Sequence, residues 1–276
     1  MSPSSGTAEG GLPSTSSPGD VLGRVALLSR TAVKGFGLRH PSSLRLTRAG
    51  ADGDRRFLVA DADATVLSVT RSAAFLPCWA EVSADGELRI GSGADVALAG
   101  RPEPGSAVRV HLFGDRYVDG HQVTGPWGGF LSDLAGEPVQ LVEAGDPAHD
   151  VHPVTVVSRA SVEALGTEQD GSPLDVRRFR MLLTLDGPAA FAEDGWRGSR
   201  VTVGEATLEL GGPVPRCAAV QRHPDSPDRQ RNTLRMINDL RGPAVGELGR
   251  GLHLGVYAEV VAPGTVAVGD AVVGHG

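Results

Sequence analysis

Short runs of alternating aliphatic and polar residues, each cut off by glycine or proline, recur from Val21 to Val273. The first is Val21-Leu22-Gly23-Arg24-Val25-Ala26-Leu27-Leu28. Runs over 43–47, 56–61, 65–69, 79–83, 87–90 and 108–112 follow the same pattern. Successive side chains of a strand point to opposite faces, so Val108, Val110 and Leu112 share one side, and Arg109 and His111 the other. Glycine opens turn conformations that other residues resist, and proline removes a backbone donor. With 38 Gly and 19 Pro, the chain cannot sustain many long helices. The pattern predicts a mostly-β fold with a few short helices. Hydrophobic residues make up 40% of the chain but aromatics only 4%, so the core must be mostly Val, Leu and Ala.

The helical exceptions are brief. Gly129-Phe130-Leu131-Ser132-Asp133-Leu134-Ala135 reads as a helix ended by Gly136, and 161–165 as a second. In 232–240, Leu234, Ile237 and Leu240 line one face before Gly242-Pro243 stops the helix. Further strands are expected at 139–142, 154–157, 180–185, 200–203, 206–210, 255–261 and 265–273. The first 20 residues are rich in Ser, Gly, Pro and Thr, without a basic head or an apolar stretch. They read as a disordered tail, not a signal peptide. The glycine-bearing segment 116–129 marks the expected boundary between an N-terminal β domain over 21–118 and a second domain over 119–276.

The formal net charge of −7 argues against a nucleic-acid partner held by phosphate neutralisation. No apolar run is long enough to span a bilayer. Two cysteines cannot build a disulfide framework, which suggests a cytoplasmic setting. Cys78, in Phe75-Leu76-Pro77-Cys78-Trp79, has the apolar neighbours of a core residue. Cys217 is different. It follows Arg216 on the Gly- and Pro-punctuated phrase Gly211-Gly212-Pro213-Val214-Pro215, just past an alternating strand. It is either a buried structural thiol or, with positive charge beside it to lower its pKa, a reactive thiolate or soft-metal ligand.

Most standard catalytic patterns are absent: there is no paired-Cys zinc spacing, phosphate loop, His-Glu-x-x-His or Gly-x-Ser-x-Gly. His149 and His152 read as surface residues facing opposite ways. Asp225 and Asp228 read as parts of a solvated turn. Basic residues collect at strand ends: Lys34, Arg55 and Arg56, Arg71, and Arg177-Arg178-Phe179-Arg180. Such residues could line one anionic pocket, since the planar fork of arginine suits phosphate. Alternatively, each pairs singly with one of the 33 acidic residues.

Taken in order, several phrases resemble the MOSC family together with its N-terminal β-barrel companion domain. They are Val33-Lys34, Gly53-Asp54-Arg55-Arg56-Phe57-Leu58-Val59, Ser68-Val69-Thr70-Arg71, Trp127 to Leu131, Arg178-Phe179-Arg180, Asp194-Gly195-Trp196-Arg197-Gly198, Pro215-Arg216-Cys217, Leu254-Gly255-Val256-Tyr257-Ala258 and Val268-Gly269-Asp270. The architecture is similar to that of the mitochondrial amidoxime-reducing component and its bacterial relatives.

This resemblance implies a MOSC-type β-barrel and a smaller β-barrel-like domain. It implies a molybdenum cofactor (molybdopterin), with Cys217 as the metal ligand and catalytic residue. Lys34, Arg55, Arg71, Arg178 and Arg180 would bind the cofactor. The implied activity is a molybdenum-dependent oxidoreductase acting on N-oxygenated or similar small-molecule substrates, with electrons from a ferredoxin-like or flavin donor. A second implied role is sulfur transfer through a Cys217 persulfide, loaded by a pyridoxal-phosphate-dependent sulfurase. A third is a non-catalytic module binding an anion or the cofactor. The chain departs from the family pattern where Ala32 and Gly35 replace a proline and a serine, where Met181-Leu182 replace Pro-Asn, and at Val214, where many relatives carry a second Cys or a polar residue.

Overall fold

The computed structural model describes residues 19–225 and 231–275. All but the last two residues of the expected tail over 1–20 lie outside the described residues, as does Asp228. The first strands are β1 (Val21–Leu28), β2 (Val33–Lys34), β3 (Ser43–Thr47), β4 (Gly50–Ala51) and β5 (Phe57–Asp61). Next come β6 (Cys78–Val82), β7 (Leu88–Ser92), β8 (Asp95–Gly100), β9 (Glu103–Phe113) and β10 (Arg116–Thr124). Helix α1 (Trp127–Ala135) leads to β11 (Val139–Ala144), β12 (Val154–Ser158), α2 (Arg159–Glu163), β13 (Leu183–Asp186), β14 (Arg200–Val203) and β15 (Ala206–Pro215). The chain continues through α3 (Thr233–Arg241), β16 (Ala244–Gly246), β17 (Gly249–Gly251), β18 (His253–Ala262), β19 (Gly264–Ala267) and β20 (Ala271–His275).

The fold is mostly β, as the glycine and proline spacing predicts, and its centre is a closed barrel ordered β1-β13-β12-β18-β15-β14-β20. All neighbours in it are antiparallel except β12 and β13. Its lumen is packed with aliphatic side chains, among them Val156, Leu183, Leu185, Val201, Leu208 and Val272, around Trp196. Closure leaves no free strand edge in the ring.

The second unit is a five-stranded sheet, β2-β5-β11-β10-β9, beside a three-stranded sheet, β6-β7-β8. Its core holds Phe36, Phe57, Phe75, Ile90, Leu141 and the buried thiol of Cys78, with Trp127 and Leu131 of α1 packed on it. Helix α1 ends as expected at Gly136, whose left-handed φ of 74° lets its N–H reach the Ser132 carbonyl.

The two units do not divide at 118/119. That point falls inside β10, which pairs with β9 along most of its length. Strand β11 belongs to the sheet unit, paired with β5 and β10. Strand β1 closes the barrel between β13 and β20. The chain thus threads from barrel to sheet unit and back.

Candidate functional site

The basic residues converge where β2 and the turn before β5 meet the barrel. Lys34 is on β2, which runs parallel to β5. Its ammonium donates to the Ala148 carbonyl at 2.8 Å and to Asp150 Oδ1 at 2.6 Å. The Lys34 side chain is largely buried, whereas that of Asp150 is 60% exposed. The cations around Asp150, Lys34 foremost, hold its carboxyl at about 2 despite its packed surroundings.

Arg55 turns through the left-handed region at φ 50°. The turn is pinned on both sides: the Arg55 N–H donates to Thr31 O at 2.7 Å, and its carbonyl accepts from Ala148 N–H at 2.9 Å. Its guanidinium pairs with the buried carboxylate of Asp54 and lies 3.4 Å from the Arg180 carbonyl. Asp54 is fixed from behind by the Thr31 N–H at 2.8 Å. Arg180 is also left-handed, at φ 53°, and its guanidinium donates to the Phe36 carbonyl at 2.6 Å. Two non-glycine residues held at positive φ in one site cost about 1 kcal/mol or more each, which the surrounding bonds must offset.

His149 is not the surface residue expected from sequence. Its ring is largely buried, with one nitrogen 3.2 Å from the Ala49 carbonyl and the other 4.0 Å from Asp54 Oδ2. Burial, reinforced by the neighbouring Arg55, lowers its pKa to about 4, so the ring is neutral near pH 7. His152 faces elsewhere, between Glu247 and Glu259.

Cys217 follows β15. The register of β15 against β18 breaks between Leu210 and Pro213 and again between Pro213 and Pro215. Neither proline can donate to the ladder, so the strand bulges and re-aims the Arg216-Cys217 segment beyond it. The thiol is free and exposed, and Thr70 Oγ1 lies 3.6 Å from its Sγ. Arg216, beside it, donates to the Phe179 carbonyl at 2.9 Å, the Leu254 carbonyl and Met181 Sδ at 2.7 Å. Burial lowers the Arg216 pKa to about 10, and burial plus the charge of Arg55 does the same to Arg180. Among the described residues, neither guanidinium has a carboxylate partner within salt-bridge distance.

Two expected site residues stand apart from this group. Arg178 is buried in a bidentate pair with Glu168, both bonds at 2.6 Å, and its remaining nitrogen reaches the Gln221 carbonyl. Its role is structural. Arg71 is tied to Asp61 at 2.7 Å and to the Val66 carbonyl at 3.1 Å. It adjoins the site only through Thr70. Asp225, expected in a solvated turn, is ion-paired with Arg177, which also holds Asp175. That pairing offsets part of the negative charge of the only three-ligand acid and histidine grouping among the described residues, Asp175, His223 and Asp225.

The departures from the family pattern have local causes. Gly35 has φ 95°, and a Cβ there would lie 3.3 Å from the Leu67 carbonyl. Met181 gives its thioether to Arg216, and Leu182 is buried in the barrel core. Gly255, with φ 71°, leaves the room Met181 uses: a Cβ there would lie 2.6 Å from Met181 Cε.

A mostly-β protein with a closed barrel, an exposed thiol just past a barrel strand end and a cluster of cations where the barrel meets the sheet unit is the class these features define. The MOSC domain family model matches residues 137–273, and the chain belongs to that family. The family is associated in general with binding of the molybdenum cofactor. Among solved structures, the YuaD protein of Bacillus subtilis is similar at 12% identity, over 91% of this chain and 93% of that one, with a TM-score of 0.44. YiiM of Escherichia coli is similar at 17% identity, over 48% of this chain and 58% of that one, with a TM-score of 0.32. YiiM of Geobacillus stearothermophilus is similar at 15% identity, over 45% and 55%, with a TM-score of 0.32. No curated protein matches the sequence. Among the described residues, no helix is long and apolar enough to cross a membrane.

Proposed function

We propose that this protein is a cytoplasmic oxidoreductase that binds the molybdenum cofactor, with the Cys217 thiolate as its protein ligand to the metal. The observation that carries this reading is an exposed free thiol directly after Arg216, whose guanidinium, like that of Arg180, lacks a carboxylate partner among the described residues. A soft thiolate suits such a metal. A concave cluster of cations suits the phosphate of a pterin. The donor set therefore fits the group.

When bound, the cofactor supplies two-electron transfer. The rest falls to the chain. Lys34, Arg55 and Arg180 hold the anionic end, and Arg216 braces the strand end that presents Cys217. Arg71 supports the loop that places Thr70 against the thiol. His149, neutral near pH 7, adds no charge to the recess. Two cysteines cannot ligate an iron–sulfur cluster, so a separate ferredoxin-like or flavin protein is the electron donor. The family resemblance points to small N-oxygenated compounds as substrates.

Protein purified from a host that makes the cofactor is expected to contain molybdenum in proportion to chain, and Cys217→Ala to lose it. Metal-free wild type from such a host would overturn the reading.

A further inference from the structure

We propose that Asp150 is a built-in competing anion, whose carboxylate occupies Lys34 in the place that an incoming phosphate-class anion takes. This rests on the proposed function of the recess as an anion site. The two carboxylates of the recess are not equivalent. Asp54 is buried and bonded on both oxygens, to the Thr31 N–H and to Arg55. It cannot leave. Asp150 stands at the rim with 60% of its side chain exposed, against 13% for Lys34. The ammonium is fixed, and the carboxylate is free to swing into water.

If Asp150 swings away, Lys34 keeps the Ala148 carbonyl at 2.8 Å. An ammonium has three donors, so the one released is available to a phosphate oxygen. The groups that act most strongly on Asp150 are Lys34, Arg55 and His149, with Arg180, Arg216 and Tyr257 also within electrostatic reach. Four cations, Lys34, Arg55, Arg180 and Arg216, are set against Asp54 and Asp150. The recess thus keeps a surplus of positive charge with Asp150 in place, and a larger one without it.

A tethered carboxylate competes at high effective concentration. A singly charged carboxylic acid offers nothing Asp150 does not already supply. A phosphate offers more charge and can engage several donors at once. Asp150 therefore acts as a filter against small carboxylates.

The test is calorimetric titration of the full chain with inorganic phosphate and, separately, with acetate. Asp150→Asn keeps the size of the side chain and removes its charge, and Asp150→Ala is the second variant. Both are expected to bind phosphate roughly threefold to tenfold tighter than wild type, and to gain detectable acetate binding. Arg180→Ala is expected to weaken phosphate. If both Asp150 variants bind phosphate no better than wild type while Arg180→Ala still weakens it, Asp150 is not a competitor and the anion site stands. If neither wild type nor the Asp150 variants bind phosphate, the anion site itself falls, and this proposal with it.

Discussion

The hydroxyl of Thr70 lies 3.6 Å from the sulfur of Cys217, 147 residues away in sequence. One belongs to the loop after β5, the other to the end of a barrel strand. The thiol is therefore displayed against the sheet unit, and neither unit makes the site alone. Cys217→Ala removes an exposed side chain with a single weak bond. It is expected to abolish molybdenum content and thiol alkylation at this position, while changing unfolding free energy by less than about 0.5 kcal/mol. Metal analysis alongside denaturant titration separates the two effects.

Arg178 behaves oppositely. Removing it strands the buried Glu168 carboxylate, and breaking a buried pair from one side costs about 3–5 kcal/mol. Arg178→Ala is expected to lower the unfolding free energy from urea titration by that measure. Arg178→Lys should recover only part, because an ammonium cannot reproduce the fork. A surface-sized loss in either variant would contradict a structural role for Arg178.

Arg71 and Arg180 should separate in an anion titration. Arg71 commits its donors to Asp61 and Val66, with 42% of its side chain exposed. Arg180 has no carboxylate partner among the described residues. Arg180→Ala is expected to weaken inorganic phosphate by at least roughly tenfold, and Arg71→Ala by less than roughly threefold.

Acid should loosen the fold through His149. Its folded pKa, about 4, is below the ordinary 6.5. Between those values the unfolded chain binds the extra proton, so stability is full above about pH 6.5 and falls as pH drops toward 4. The loss is on the order of 3 kcal/mol. His40 and the buried His253, both also lowered, act in the same direction. Glu168, lowered from 4.5 mainly by the pairing with Arg178 that outweighs its burial, contributes stability that disappears only as pH falls below that value. His149→Gln should therefore flatten the profile of unfolding free energy between pH 4.5 and 6.5. An unchanged slope would count against it.

Gly35→Ser restores the hydroxyl of the family pattern but places a side chain at φ 95° against the Leu67 carbonyl. It is expected to cost about 1–2 kcal/mol and to bring no gain in phosphate affinity. Thermal unfolding and the same titration measure both.

Alternation made β1, β3 and β14 legible, because each puts one face into a core and the other outward, whereas β5 reads as a continuous apolar run because both its faces are buried. Strand β10 was hidden: along Arg116–Thr124 only Gly120 and Val123 are buried, so its sequence carries no apolar stripe. The placement of β1 and β11 was equally unreadable, since pairing partners depend on tertiary closure rather than on local pattern. At the site, Lys34, Arg55, Arg180 and Cys217 stand out in the sequence by strand-end position and phrase, and the Arg55 guanidinium does lie 3.4 Å from the Arg180 carbonyl. Arg178 was misplaced for a geometric reason. In a strand, residues 178 and 180 would share a face. Instead, 176–179 form a 3₁₀ turn and Arg180 flips to positive φ, which sends the two guanidiniums to different places. Asp150 and His149 carried only the signal of adjoining a proline-led strand. Their role appears once β2 is beside them.

The pairing of β1 with β20 sets a timetable for synthesis. The first barrel strand to leave the ribosome waits for the last one before its ring can shut, and its other neighbour, β13, is also far downstream. Such long-range closure is slow, because loop entropy is lost before the contacts offset it. The sheet unit, whose strands β5 to β11 emerge in one stretch, can assemble while the barrel is still open. Until β13 and then β20 emerge, β1 keeps an unpaired edge that a chaperone could shelter.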